Sequence, residues 1–366
     1  MVTSFPAMPR WVLGLGLALV AGCAAPALLV WEEVEIGTPT DTILTPYLND
    51  PVAVWLTGSR WVVVAGELSE AALVGFDGTG RQVLGGTDDA ELRGPFGVFR
   101  WGDTAWVSDW ALRRISGWSS DGRFAGVAQP PDLFRGTLPK ARDAAGQHYF
   151  ELPPIPGPGG RGNRDSASII RAASDWSRVD TIARLSPLDV AEVNDERGPR
   201  FERRIFSGND AWGAFADGTL WLARVYPNRI DRLPLGAKLV KGPALPDRIM
   251  EVTRLDRVHW LLEFPEELRG TAERIPVALV KPPFTNGVAG PDETLWLEKS
   301  RAVTDTTRTY HVHDREGNLL YAAVLPGRQA RIIAVGDSVL LVSERYGQGA
   351  RLMQVRRPAP PVVVAP

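Results

Sequence analysis

The chain has 366 residues, enough for one large repeat fold or two ordinary domains. A formal net charge of −2 with no basic stripe excludes an electrostatic nucleic-acid binder, and the single cysteine excludes an internal disulfide. With 37 glycines and 30 prolines, the composition favours many turns over long helices.

At the N-terminus, Arg10 is the only charge ahead of the apolar run Trp11 to Leu19, which leads into Val20-Ala21-Gly22-Cys23. A charged start, a short apolar stretch and small residues at the cut are what signal peptidases read. The motif resembles the lipobox of bacterial lipoprotein signal peptides. That resemblance implies cleavage before Cys23, lipidation of its thiol, and residence at the periplasmic face of a membrane or the cell surface. Residues 1–22 are then the signal peptide, and 23–50 a lipidated tether carrying a closing strand. Two alternatives stay open: an uncleaved span over Trp11 to Trp31, or an ordinary secretory signal. The span is long enough to cross a bilayer, but Gly14, Gly16, Gly22 and Pro26 weaken it as a helix.

Beyond the tether a short pattern recurs, a Gly or Asp followed within a few residues by a large apolar run. Its copies begin at Gly58, Gly102, Gly146, Asp217, Asp292 and Gly336, and they include Trp61, Trp106, Tyr149, Trp221, Trp296 and Leu340. Successive spacings are 44, 44, 71, 75 and 44 residues. A period near 44 suits a four-stranded propeller blade, and the longer intervals read as the same unit with insertions. Runs such as Ala105-Trp106-Val107 are apolar on both faces, as expected of a strand covered by neighbours on either side. Turns such as Phe76-Asp77-Gly78 and Asp121-Gly122 close the later hairpins.

These units resemble six-bladed propellers of the NHL and TolB-like kind over roughly residues 50–357. The resemblance implies an all-β, six-bladed β-propeller over 51–357, with insertions near 151–166, 187–200 and 243–283 and a Pro-rich tail over 358–366. The third unit departs most, because Pro153 to Gly162 interrupts it. Seven blades are an alternative, since Arg257 to Leu262 imitates a further repeat core; a β-sandwich is another. The last unit lacks a fourth strand before the proline tail, so the N-terminal segment Trp31 to Ile36 is expected to pair with Leu352 to Val355 and close the last blade.

Strand alternation places the loops before each first strand and after each second strand on one rim. That rim carries Asp109, Asp210, Arg224, Tyr226, Lys299, Arg301, Arg328, Glu344 and Arg345, a mixed-charge set suited to an anionic or sugar-like ligand. The same pattern is also ordinary solvated loop chemistry. His311 and His313 share a strand face and could begin a metal site, yet no third ligand is evident. No Gly-x-Ser-x-Gly elbow, phosphate loop or cysteine-based metal motif is present, so no catalytic residues, metal or cofactor are expected. The reading favours a membrane-tethered binding or scaffold module for a protein, peptide or glycan. The alternative is a divergent propeller hydrolase or lyase with an axial active site.

Overall fold

Glycine and aspartate turns convert the repeat into short antiparallel strands in the computed structural model, which describes residues 32–46, 51–86, 89–134, 136–153, 167–195, 198–246 and 249–360. Cys23 and Trp31 lie outside the described residues. Two N-terminal strands, β1 (Glu33–Glu35) and β2 (Pro39–Thr45), precede the first sheet, β3 (Val52–Thr57), β4 (Arg60–Ala65), β5 (Glu70–Gly75) and β6 (Gly80–Val83). The second sheet is β7 (Pro95–Trp101), β8 (Thr104–Asp109), β9 (Arg114–Ser119) and β10 (Phe124–Ala128). The third is β11 (Ala141–Arg142), β12 (His148–Leu152), β13 (Ser168–Ala172) and β14 (Val179–Arg184).

A hairpin follows, β15 (Val190–Asp195) and β16 (Gly198–Arg203), then a fourth sheet of β17 (Ala211–Ala214), β18 (Leu220–Arg224) and β19 (Arg229–Leu233). Helices α1 (Arg254–Leu262) and α2 (Glu266–Ala272) lead to the fifth sheet, β20 (Phe284–Ala289), β21 (Leu295–Lys299), β22 (Thr307–His313) and β23 (Leu319–Pro326). The sixth sheet is β24 (Ala330–Val335), β25 (Val339–Tyr346) and β26 (Gly349–Arg356). First strands neighbour one another in a closed cycle, β3 beside β7, then β11, β17, β20, β24 and β3 again.

Second strands explain the double-faced apolar runs. Trp61 and Val63 of β4 join Leu341 and Leu352 of the sixth sheet, while Val62 and Val64 join Ala105 and Val107 of the second. Trp106, Trp221 and Trp296 are each buried near the start of the second strand of separate sheets, where Tyr149 and Leu340 stand in the third and sixth. Opposite Trp221 lies Gly213, where a Cβ would come within 2.8 Å of the indole, so the inner strand leaves room for the ring.

Three expectations change. The stretch 187–200, expected as a loop, is largely the hairpin β15–β16, because Val190 to Asn194 finds an antiparallel partner across Gly198 to Arg203. Arg257 to Leu262 is helical, not a strand of a further repeat. A capping box between Thr253 and Asp256 starts the helix, with Thr253 Oγ1 accepting from Asp256 N at 3.2 Å and Asp256 Oδ2 accepting from Thr253 N at 2.9 Å. Residues near Ile36 do not pair with Leu352 to Val355. Instead β1 lies parallel to β23 of the fifth sheet, and β2 runs antiparallel to β26 as the fourth strand of the sixth. Ile36 is buried between those two sheets. No helix among the described residues is long and apolar enough to cross a membrane.

At the rim formed by the turns between first and second strands, arginines clamp Asp-x-Thr turns of the neighbouring sheet. Arg357, after β26, donates to Asp292 Oδ2 at 2.6 Å and to Thr294 Oγ1 at 3.0 Å. Arg315 likewise reaches Asp217 and Thr219 of the fourth sheet as well as Glu293 of its own. Arg357→Ala is expected to cost about 1–2 kcal/mol, the scale of a charge-assisted hydrogen bond to a half-exposed carboxylate. A double-mutant cycle with Asp292→Asn in urea unfolding checks this; strictly additive losses would show that the two residues do not act together.

Candidate ligand-binding rim

The opposite rim gathers the ends of the second strands and the starts of the first, and here much of the charge is spent inward. Asp109 ends β8 fully buried, its carboxylate accepting from the backbone N–H groups of Arg93 at 2.7 Å, Gly94 at 3.1 Å and Leu112 at 3.0 Å. Three such bonds make it a structural pin with no face left for a ligand. Asp210 is used similarly. Its buried carboxylate accepts from Ser186 N at 2.7 Å, Val225 N at 2.9 Å and Arg224 Nη1 at 2.8 Å. Arg224 also donates to Arg184 O at 2.7 Å and Asp231 Oδ2 at 3.3 Å, and Asp231 receives Arg229 Nε at 2.5 Å. The structure thus joins Asp210 and Arg224 in one buried ion-pair chain.

Arg301 and Arg328 are also brought together, though through the backbone. Arg301 donates to Arg328 O at 2.7 Å and to Asp305 O and Thr307 O, each at 3.3 Å. Burial, together with nearby Arg308, pulls the Arg301 guanidinium below its usual range. Lys299 sits near His311 and His313 between the fourth and fifth sheets, where its charge adds to burial in holding both imidazoles neutral. Glu344 is 3.6 Å from Arg351 on the adjacent strand. Tyr226, Arg328 and Arg345 are the expected residues that face solvent, Tyr226 with 84% of its surface exposed.

Beyond Tyr226, the aromatic residues of this rim were not among those expected. Trp110, directly after Asp109, is 66% exposed; Phe96 at the start of β7 and Tyr346 at the end of β25 are exposed on the same rim. The rule that selected Asp109 and Arg345 would have found Trp110 and Tyr346 had apolar side chains been admitted. The rings of His311 and His313 lie 6.2 Å apart on one face, and among the described residues no group of three or more His, Cys, Asp or Glu could hold a metal ion.

No protein-family model matches the chain, and no curated protein matches it. Solved structures do. A member of the DUF4221 family from Bacteroides vulgatus aligns with TM-score 0.51 at 10% identity, over 88% of this chain and 98% of that one. A gluconolactonase from Xanthomonas campestris aligns with TM-score 0.41 at 13% identity, over 87% and 90%. A virginiamycin B lyase from Staphylococcus aureus gives TM-score 0.44 at 10% identity, over 87% and 99%. At such identities the likeness concerns fold alone, and the fold is an all-β propeller.

Proposed function

We propose that this chain is an exported lipoprotein, tethered through Cys23, whose six sheets form the blades of one NHL- or TolB-like propeller and whose aromatic rim binds a protein, peptide or glycan ligand. The closed cycle of first strands supports six blades. The sequence Val20-Ala21-Gly22-Cys23 supports the tether and a place on the periplasmic face of a membrane or the cell surface. One observation carries the binding role: Asp109, Asp210 and Arg224 are consumed by internal bonds, while Phe96, Trp110, Tyr226 and Tyr346 are left facing water on the same rim. Exposed aromatics are a recurrent mark of binding surfaces. The axial hydrolase or lyase reading gains no residue set from the described residues.

A photo-crosslinking residue at position 226, on the aromatic rim, is expected to capture a ligand in the native membrane, whereas one at Asp121 on the opposite rim captures none. Equal capture at both positions, or capture only at Asp121, overturns the rim assignment. The same preparation tests the tether by mass spectrometry: an unmodified Cys23 in a chain beginning at Met1 removes it.

A further inference from the structure

We infer that the exposed rings of Trp110 and Phe96, at one end of the second sheet, are stacking faces for pyranose rings, so that the ligand of the rim is a glycan. This rests on the binding role proposed above and narrows it. The backbone that carries the indole is firmly held, although the side chain is 66% exposed. Its backbone N–H donates to Gly94 O at 3.0 Å. The buried Asp109 carboxylate pins Arg93, Gly94 and Leu112 on both sides of it. Gly94 is required by contact: a Cβ there would lie 2.6 Å from Trp110 Nε1 and 3.0 Å from Cδ1. The pyrrole edge therefore rests on the loop backbone. Arg114 Nη2 fixes that loop further by donating to Asp89 O at 3.0 Å and Glu91 O at 2.8 Å.

Phe96 is placed by a separate device. The register between β7 and β8 slips between Pro95 and Gly97, which makes Phe96 the extra residue of a β-bulge. Bulges re-aim side chains, and this one leaves Phe96 45% exposed. On the loop before β7, Arg93 Nε and Glu91 Oε1 pair at 2.9 Å with their side chains 62% and 43% exposed, so further donors and acceptors face water. A pyranose offers the matching chemistry. Its C–H face suits the electron-rich face of an aromatic ring, and its edge hydroxyls suit a guanidinium and a carboxylate. Fixing the platform before binding lowers the ordering cost that a weak ligand must overcome. Protein hot spots instead favour enclosed, desolvated pockets, whereas both rings here are exposed and the same loop carries an exposed charged pair.

Calorimetric titration of the intact protein with maltohexaose, cellohexaose, chitotetraose and galactotetraose tests the inference, with decaproline as the peptide control. Saturable binding of at least one sugar is expected. Trp110→Ala should weaken it about tenfold and Trp110→Phe much less. No saturable sugar, a sugar bound equally by Trp110→Ala with unchanged circular dichroism, or binding of decaproline alone overturns the assignment. Cross-linking at position 226 separates the failures: if it persists while no sugar binds, the rim binds something other than a glycan, and if it too is lost, the binding role falls with it.

Discussion

A chain starting at residue 46 is expected to melt well below the chain starting at Cys23, with every sheet affected and not only the last. The reason lies in β2. Six of its residues, Pro39, Asp41, Thr42, Ile43, Leu44 and Thr45, have partners on β26. Thr40 Oγ1 and Thr45 Oγ1 also donate to Gln354 O at 2.9 Å and Ala350 O at 3.2 Å. At a net 0.5–1.5 kcal/mol for each hydrogen bond, losing that ladder removes roughly 3–9 kcal/mol. Native domains hold only about 5–15 kcal/mol in all. The loss extends around the body because Ile43 packs in the core shared by the sixth and first sheets, and Ile36, lost with it, fills the core shared by the fifth and sixth. Complementation sharpens the test. A synthetic peptide of residues 32–45, added to the truncated chain, should raise its melting temperature with concentration, since binding to the folded form alone stabilises it by mass action. An unchanged melting temperature on truncation would show that closure contributes nothing.

That strand also shows where sequence reading stops. The repeat was legible because a second strand buried on both faces must be apolar throughout, which is why Trp61, Trp106, Trp221 and Trp296 stand out of the background. An outermost strand needs only one sheltered side. In Pro39-Thr40-Asp41-Thr42-Ile43-Leu44-Thr45 only Thr45 is buried and Ile43 half-buried, so the segment reads as a loop. Trp31 to Ile36 carries the stronger alternation and drew the closing role, although its described part joins the fifth sheet in a parallel pairing that periodicity cannot reveal. The rim fared similarly. Strand alternation placed Asp109, Asp210 and Arg224 at the ends of the correct strands, but residue type does not say whether a carboxylate meets a ligand or a loop's own N–H groups. That depends on the turn Arg93-Gly94, whose backbone folds back onto Asp109 only in three dimensions. Trp110 was missed although it directly follows Asp109, and its restraint by Gly94 could not be read from the sequence at all.

Acidification from pH 7 to 5 is expected to remove about 4 kcal/mol of stability through two buried histidines, before acid titration of the carboxylates contributes much. His148 on β12 is almost wholly buried, its ring stacked 4.1 Å from Trp176, and its Nδ1 has no hydrogen-bond partner. Burial, reinforced by Arg142, pushes its pKa down to about 3. His313 on β22 is fully buried and pushed down to about 4, first by burial and then by Lys299, against an upward pull from the Gly317 backbone. In the unfolded chain both titrate near about 6.5. Above that pH each is neutral in both states and stability does not depend on it. Below it the unfolded chain takes up protons that the folded chain refuses, so stability falls with falling pH, by about 1.4 kcal/mol per unit for each histidine, until the folded pKa is reached. From about 6.5 to 5 that is about 2 kcal/mol each. His311, part-buried and lowered to about 3 by burial, Lys299 and His313, adds in the same direction. Asp77 is held at about 2 by Thr79 and Arg60, so its contribution is lost only at lower pH, as the unfolded carboxyl begins to protonate. Urea unfolding at pH 7 and pH 5 measures the loss. His148→Phe, which keeps an aromatic ring against Trp176, and His313→Gln should each lessen it by about 2 kcal/mol. A double variant with the same acid sensitivity as the parent would place the effect elsewhere. The two residues sit on different seams, His148 toward the second sheet and His313 toward the fourth, so each substitution should flatten the pH slope without changing the effect of the other.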